Sequence, residues 1–198
     1  MNFEQQIKTA FKKIYPFGDE HLQLIIEKIH LQSFKKNDYL LAPPKTCSFA
    51  ALVLKGSFRM FKATQEKENT LQKENTLHFF TETDWIGDFE SFVVQRPTVN
   101  YIQAMERAEI ALLSIHDLHL LIHQIPVFIS LGRLMHGWPV SSGHFTSLIN
   151  DTPEERYKSL LDIHPDWVLR FPQMHLASWL GMSRETLSRV KRKTLLPI

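Results

Sequence analysis

Between Phe171 and Lys193 the chain reads FPQMHLASWLGMSRETLSRVKRK, a pattern that describes two short helices around a tight turn. The first helix is predicted over Gln173–Leu180, where Leu176, Trp179 and Leu180 recur at spacings of three and four with Ala177 packed beside them. Gly181 stops it, standing where a residue in the left-handed conformation ends a helix. Ser183 is the cap of the second helix, and Glu185 sits in a first turn that favours an acid. Lys191, Arg192 and Lys193 crowd a last turn that favours bases. Leu187 and Val190, with Thr194, form its apolar stripe, while Arg184, Glu185, Ser188 and Arg189 lie together on another face.

Two helices joined by a short turn, the second one polar and basic on its exposed side, is the geometry that lays a helix into the major groove of duplex DNA. A guanidinium bonds guanine O6 and N7 in a bidentate way, and a carboxylate accepts from cytosine N4. Arg184, Glu185 and Arg189 are therefore candidates for reading base edges. The competing reading is an ordinary helical hairpin, in which Glu185 and Arg189 form an i,i+4 ion pair worth about 0.3–0.5 kcal/mol.

The run Ser183-Arg184-Glu185-Thr186, followed by Arg189, resembles the recognition helix of the CRP/FNR family of bacterial transcription regulators. The resemblance implies that Arg184, Glu185 and Arg189 touch bases and that Ser183 and Thr186 touch phosphate. Lys191, in the basic last turn of the same helix, is read as a further phosphate contact. It extends over nearly the whole chain and implies an α+β fold with three parts. A double-stranded, jelly-roll-like β-roll with flanking helices is expected over residues 1–125 as a cyclic-nucleotide-binding-like sensor. A long dimerisation helix is expected over 126–150, and a helix-turn-helix domain over 151–198. Family members often continue into a β-hairpin wing, but only TLLPI follows Lys193, so a full wing is not expected unless it is built from elsewhere.

With 198 residues, 43% of them hydrophobic, the chain has material for real cores and does not read as disordered. Its 23 basic and 21 acidic side chains nearly balance, so overall charge does not point to nucleic acid. Distribution is more informative: residues 1–150 carry 15 of each sign, whereas 184–198 hold five bases against one acid. Cys47 is the only cysteine, which excludes a disulfide within the chain and a thiolate cluster for zinc or iron–sulfur. No signal-peptide core or membrane-length apolar run is read, and a reduced, cytoplasmic protein is expected.

Two amphipathic helices open the chain. One carries Phe3, Ile7, Ala10, Phe11 and Ile14, and the other runs from about Asp19 to Ile29. From Phe34 to about Ile115 short apolar runs bounded by Pro, Gly, Asn and Asp predict a compact all-β unit of about eight strands, with Gly56 as a hairpin turn. Within it KENTLQ (67–72) repeats as KENTLH (73–78), which reads as a lengthened loop at a hairpin tip with no role. His116, His119 and His123 share a helical face at metal-ligand spacing, but Leu118, Leu121, Ile122 and Ile125 on the other face make them the wet side of a short helix. Pro126 opens the stretch expected to dimerise, and Pro139, near Gly137 and Gly143, is expected to kink it. Thr152 or Asp151 should cap a helix over EERYKSLLDIHP, with the domain boundary near residue 150.

The resemblance also locates an effector pocket, lined by Gly87, Asp88, Ser91, Thr98 and Val99. In family members that bind cyclic AMP a glutamate takes the ribose hydroxyl and an Arg-Ser pair takes the phosphate. Asp88 stands for that glutamate, whereas the Arg-Ser positions fall on Thr98 and Val99. A buried phosphate without a guanidinium lacks its bidentate partner, so cyclic AMP is not the expected effector and no phosphate role is carried onto those two residues. Arg96 lies two positions away and would face the pocket only after repacking of the local turn.

Together these readings predict a homodimeric, sequence-specific DNA-binding transcription regulator of CRP/FNR type that reads a near-palindromic site. It is expected to have no catalytic activity, metal, cofactor or membrane, and an effector of unidentified chemistry. Its expected partners are double-stranded DNA, a second copy of itself and RNA polymerase. Two alternatives remain at this stage. One is a β-roll module that regulates a protein partner without touching DNA. The other is a cupin-like metalloenzyme, for which the β region supplies only His78 as a histidine ligand.

Overall fold

The computed structural model describes residues 2–64, 73–137 and 147–195, with the backbone alone at 133–137 and 195. The chain forms two compact units, Met1–Phe61 with Phe79–Pro139, and Lys62–His78 with Val140–Ile198. Among the described residues no helix is long and apolar enough to cross a membrane.

Helix α1 (Phe3–Ile14) buries Ile7, Ala10 and Phe11, the stripe read from its period, and the Asn2 side chain caps it at the Glu4 amide. Helix α2 (Asp19–Glu27) buries Leu22 and Ile25 but stops two residues before its expected end. Ile29 instead opens strand β1 (Ile29–Phe34), which pairs antiparallel with β8 (Ala108–Ser114) from Ile29↔Leu113 to Phe34↔Ala108. Local spacing allowed two more helical residues; a six-residue ladder to a distant strand overrides that preference.

The other strands are β2 (Tyr39–Leu41), β3 (Phe49–Lys55), β4 (Phe58–Thr64), β5 (Lys73–Phe80), β6 (Trp85–Ile86) and β7 (Tyr101–Ala104). With β1 and β8 they make, among the described residues, two four-stranded sheets in the orders β1-β8-β3-β6 and β2-β7-β4-β5, the double-stranded roll of an α+β fold. Strand β3 is buried along nearly its whole length, and Phe58, Ile102, Ala104 and Ile110 join it in one core. In this core Phe11 meets Trp85 edge-on at 5.1 Å.

Gly56 does form a turn, but not a hairpin. The strands it joins, β3 and β4, belong to different sheets, so this turn is the corner where the chain changes layer. Its φ is +82°, and a Cβ there would lie 2.5 Å from the Arg107 carbonyl oxygen and 2.8 Å from Ala108. Only glycine fits such a corner.

The second copy of the repeat, KENTLH, is not loop. It forms most of β5, where Thr76 is buried, because Thr, Leu and the following Phe pair suit a pleated, half-buried strand. The first copy, at 67–72, lies outside the described residues.

Helix α3 (Phe89–Val94) is the one-turn helix between β6 and β7, and α4 (Ile115–Gln124) buries Leu118 and Leu121 while His116, His119 and His123 stay exposed. The segment expected as a long dimerisation helix differs where it is described. Pro126–Gly137 winds as 3₁₀ turns, and α-helix returns at 147–150. A proline at its start and glycines at 132 and 137 weaken α-helical hydrogen bonding there. Pro139 and Gly143 lie outside the described residues.

In the second unit, α5 (Pro153–Ile163) starts with a complete capping box. The Thr152 side chain accepts from the Glu155 amide, Glu155 reaches back to the Thr152 amide, and Pro153 fills the first turn. Helices α6 (Trp167–Arg170), α7 (Gln173–Trp179) and α8 (Arg184–Leu195) follow. Trp167 is the centre of this unit's core: it stacks on His164 at 3.9 Å and meets Trp179, Phe171 and His78 edge-on at 5.3, 5.8 and 5.7 Å. Gly56→Ala is expected to lower unfolding free energy by about 2–4 kcal/mol in urea denaturation, because it combines backbone strain with overpacking.

Candidate nucleic-acid interface and effector pocket

The turn between α7 and α8 follows from three residues. Leu180 ends α7, and Gly181 takes φ +62°. The Gly181 amide then donates to the Ser178 carbonyl at 3.1 Å and the Met182 amide to the Ala177 carbonyl at 3.0 Å. This reciprocal pair is a Schellman motif, with glycine at the left-handed position. Ser183 begins the next helix as predicted: its hydroxyl accepts from the Thr186 amide at 3.1 Å.

Helix α8 buries Leu187 and Val190 and leaves Arg184, Glu185 and Arg189 exposed, so the three proposed base readers share an open face. Thr194 is exposed and does not extend the apolar stripe; its hydroxyl bonds the Val190 carbonyl at 3.0 Å. Ser183, at the helix start, is also exposed, while Thr186 and Lys191 are half-buried. Glu185 is held below the usual carboxylate range by its own backbone amide, then by the Ser183 hydroxyl and the nearby Arg184 charge. It therefore stays ionised and able to accept a hydrogen bond at any physiological pH. At the far end Lys193 pairs with Glu154 of α5 at 3.1 Å.

Ser178, on α7, serves a role that helical period alone could not show. Its hydroxyl accepts from the Thr76 amide at 2.9 Å and lies 3.2 Å from the Glu74 carbonyl, to which it donates. Strand β5 is thus hydrogen-bonded to the first helix of the pair. His78, the one histidine of the predicted β region, packs against Trp167.

The expected effector pocket is built differently from its reading. Asp88 is only 3% exposed and spends its carboxylate internally. One oxygen accepts from the Ser91 amide at 3.2 Å, capping α3. The other accepts from the Thr98 hydroxyl, and from the Asn100 amide group at 3.0 Å. The Ser91 hydroxyl donates to the Arg96 carbonyl at 2.6 Å and accepts from the Cys47 amide at 2.9 Å. The Asp88 amide in turn points at the Cys47 sulfur at 3.4 Å.

Gly87, Ser91 and Thr98 are buried with Asp88, whereas Val99 is 58% exposed and Arg96 is also exposed. Arg96 meets this network through its backbone carbonyl and not through its guanidinium. The cavity beside these residues is about 110 Å³, against roughly 300–1,000 Å³ for small-molecule sites. Burial pushes the Cys47 thiol up to about 11, so it is neutral and inert.

Asn100 was not singled out from the sequence, and Cys47 was read there only as excluding a disulfide and a thiolate cluster. The spacing of Asp88 and Ser91 did carry a signal, that of an N-cap with its third residue. Asp88→Ala is expected to destabilise the first unit by about 2–4 kcal/mol in thermal unfolding, because the Ser91 amide loses its acceptor and Thr98 and Asn100 lose theirs.

No protein-family model and no curated protein matches the chain. Solved structures do. FixK2 from Bradyrhizobium japonicum aligns with 14% identity over 83% of each chain, at a TM-score of 0.68. CLP of Xanthomonas campestris, a c-di-GMP-responsive global regulator, aligns with 17% identity over 89% of this chain and 91% of its own, at 0.66. A protein from Eubacterium rectale assigned to the CRP/FNR family aligns with 17% identity over 93% and 87%, also at 0.66. Among the described residues, eight strands in two sheets, the capped one-turn helix between β6 and β7, and the paired helices α7 and α8 thus give this chain the fold of the CRP/FNR regulators.

Proposed function

We propose that the chain is a homodimeric, sequence-specific DNA-binding transcription regulator, without enzymatic activity, that reads a near-palindromic site. The observation that carries this reading is α8. A glycine turn and a serine cap fix its start, and it presents Arg184, Glu185 and Arg189 on one exposed face. In the major groove Arg184 and Arg189 would bond guanine edges and Glu185 would accept from cytosine, while Ser183, Thr186 and Lys191 would hold phosphates. Residues 1–125 act as sensor domain, 126–150 as the dimer-forming connection and 151–198 as the DNA-binding domain, with the outer part of the β4–β5 hairpin joining the last. RNA polymerase is a further partner, and the cytoplasm is the compartment where these partners meet.

A single reading head spans too few base pairs for specificity, and two-fold symmetry sets a second one a helical turn away. Cyclic AMP is not the effector in this reading. The acid that would take its ribose is engaged by Ser91, Thr98 and Asn100, and no guanidinium stands at the phosphate position.

Selection of duplexes from a random DNA pool by the full-length protein should recover one palindromic motif equally with and without cyclic AMP. Recovery only with the nucleotide would overturn the reading of the pocket, and recovery of no motif in either arm would count against the regulator. On the selected duplex, Arg184→Ala should lower affinity by about 1–3 kcal/mol and relax choice at one base, read by titration of single-base variants. Lys191→Ala should weaken all duplexes alike and flatten the dependence on salt.

A further inference from the structure

The second unit contains a cavity that the DNA-reading face does not use. It lies among α5, the end of α7 and the last residue of the β5 segment in this unit, and measures about 520 Å³, within the range of small-molecule sites. Leu160, Ile163, Trp179 and Leu180 give it apolar walls, and Arg156 brings a guanidinium to it. Arg156 donates through Nη1 to the Gly181 carbonyl at 3.4 Å, but its Nε is buried and has no hydrogen-bond partner among the described residues. A guanidinium N–H in that position has lost its water and gained no acceptor, and a small rotation of the side chain that turned it toward a ligand oxygen in the cavity would return the lost bond.

The charge at the cavity restricts the ligand. Asp151 also lines it, accepting from the Ser147 hydroxyl at 2.5 Å, and its negative charge offsets that of Arg156. A dianionic phosphate is therefore disfavoured next to that carboxylate. One negative charge on an apolar body suits both the guanidinium and the walls. In the first unit, by contrast, the cavity beside Asp88 is about 110 Å³ and its acid is engaged.

We propose that the cavity of the second unit is the effector site of this chain and takes an organic monocarboxylate with an aromatic or branched apolar body. The effector role rests on the DNA-regulator reading above. A carboxylate on the Nε edge of Arg156 fixes the guanidinium whose other edge holds the carbonyl of Gly181, the residue that sets the turn between α7 and α8. Binding there and binding of DNA by α8 then affect one another by the same factor.

The test is calorimetric titration of the full-length protein with 2-naphthoate, its neutral counterpart 2-naphthamide, and inorganic phosphate. Naphthoate is expected to bind once per chain, at least tenfold more tightly than the amide, with no competition from phosphate. Arg156→Gln should weaken it at least tenfold. Because Arg156 also touches Gly181, Ser159→Trp serves as a second variant: it fills the cavity from an exposed position of α5 and should abolish binding without shifting thermal unfolding.

Equal affinity for acid and amide, binding that survives Ser159→Trp, or no binding up to the solubility limit would each overturn the site. On the selected duplex, naphthoate should change DNA affinity at least threefold; unchanged affinity would overturn the effector role. If the protein binds no duplex, the regulator reading fails, and calorimetry alone decides the cavity.

Discussion

The pair of helices α7 and α8 depends on one residue that has no side chain. At Gly181 the backbone turns left-handed, and a Cβ would stand 2.8 Å from Leu148 Cδ2 and 2.9 Å from Arg156 Nη1. The left-handed conformation favours glycine, whereas the two neighbouring side-chain ends could give way by a small shift, and the direction of α8 follows from the turn. Ser183 caps that helix two residues later, so its first turn, where Arg184 and Glu185 sit, is placed by the turn itself. The Lys193–Glu154 pair at the other end is largely exposed on both sides, where water screens the charges and leaves little net stabilisation. The orientation of the helix is thus set mainly by sterics at its start, and charge only trims its far end.

Asp88 shows a similar economy in the first unit. One carboxylate caps a one-turn helix and receives a hydroxyl and an amide from the strand approach, while the backbone amide of the same residue points at a buried neutral thiol. A charge so engaged has little capacity left for a ligand hydroxyl, because each new bond would have to displace one already formed without exposure to water. The segment closes on itself, and the same acid that marks a binding site by position acts here as a structural joint.

Much of this was readable from residue order, and the failures have physical causes. The α7–α8 pair was legible because its signals are local: a capping serine, a stopping glycine, and apolar residues three and four apart. The β-roll was legible as a class, since short aromatic and β-branched runs between turn residues have few other uses. Its pairing was not legible. Ile29 has the same spacing to Ile25 whether a helix continues or a strand begins, and only the ladder to β8 decides between them. Gly56 signals a turn, but nothing near it says that the next strand joins another sheet. Trp167 and Asn100 were passed over because their importance comes from partners distant in sequence, His78 for one and Asp88 for the other.

The division of the chain carries a further consequence. Residues Lys62–His78 belong with the helical unit although they are inserted in the roll, so the chain passes from one unit to the other three times. The two are therefore not beads on a string. A fragment beginning at Val140 would lack the strand whose Thr76 amide bonds Ser178 and whose His78 packs on Trp167. A single cut between the units would leave them joined by two chain crossings. Independent inheritance or exchange of the helical unit, simple for a domain attached by one linker, would here require the stretch Lys62–His78 to move with it.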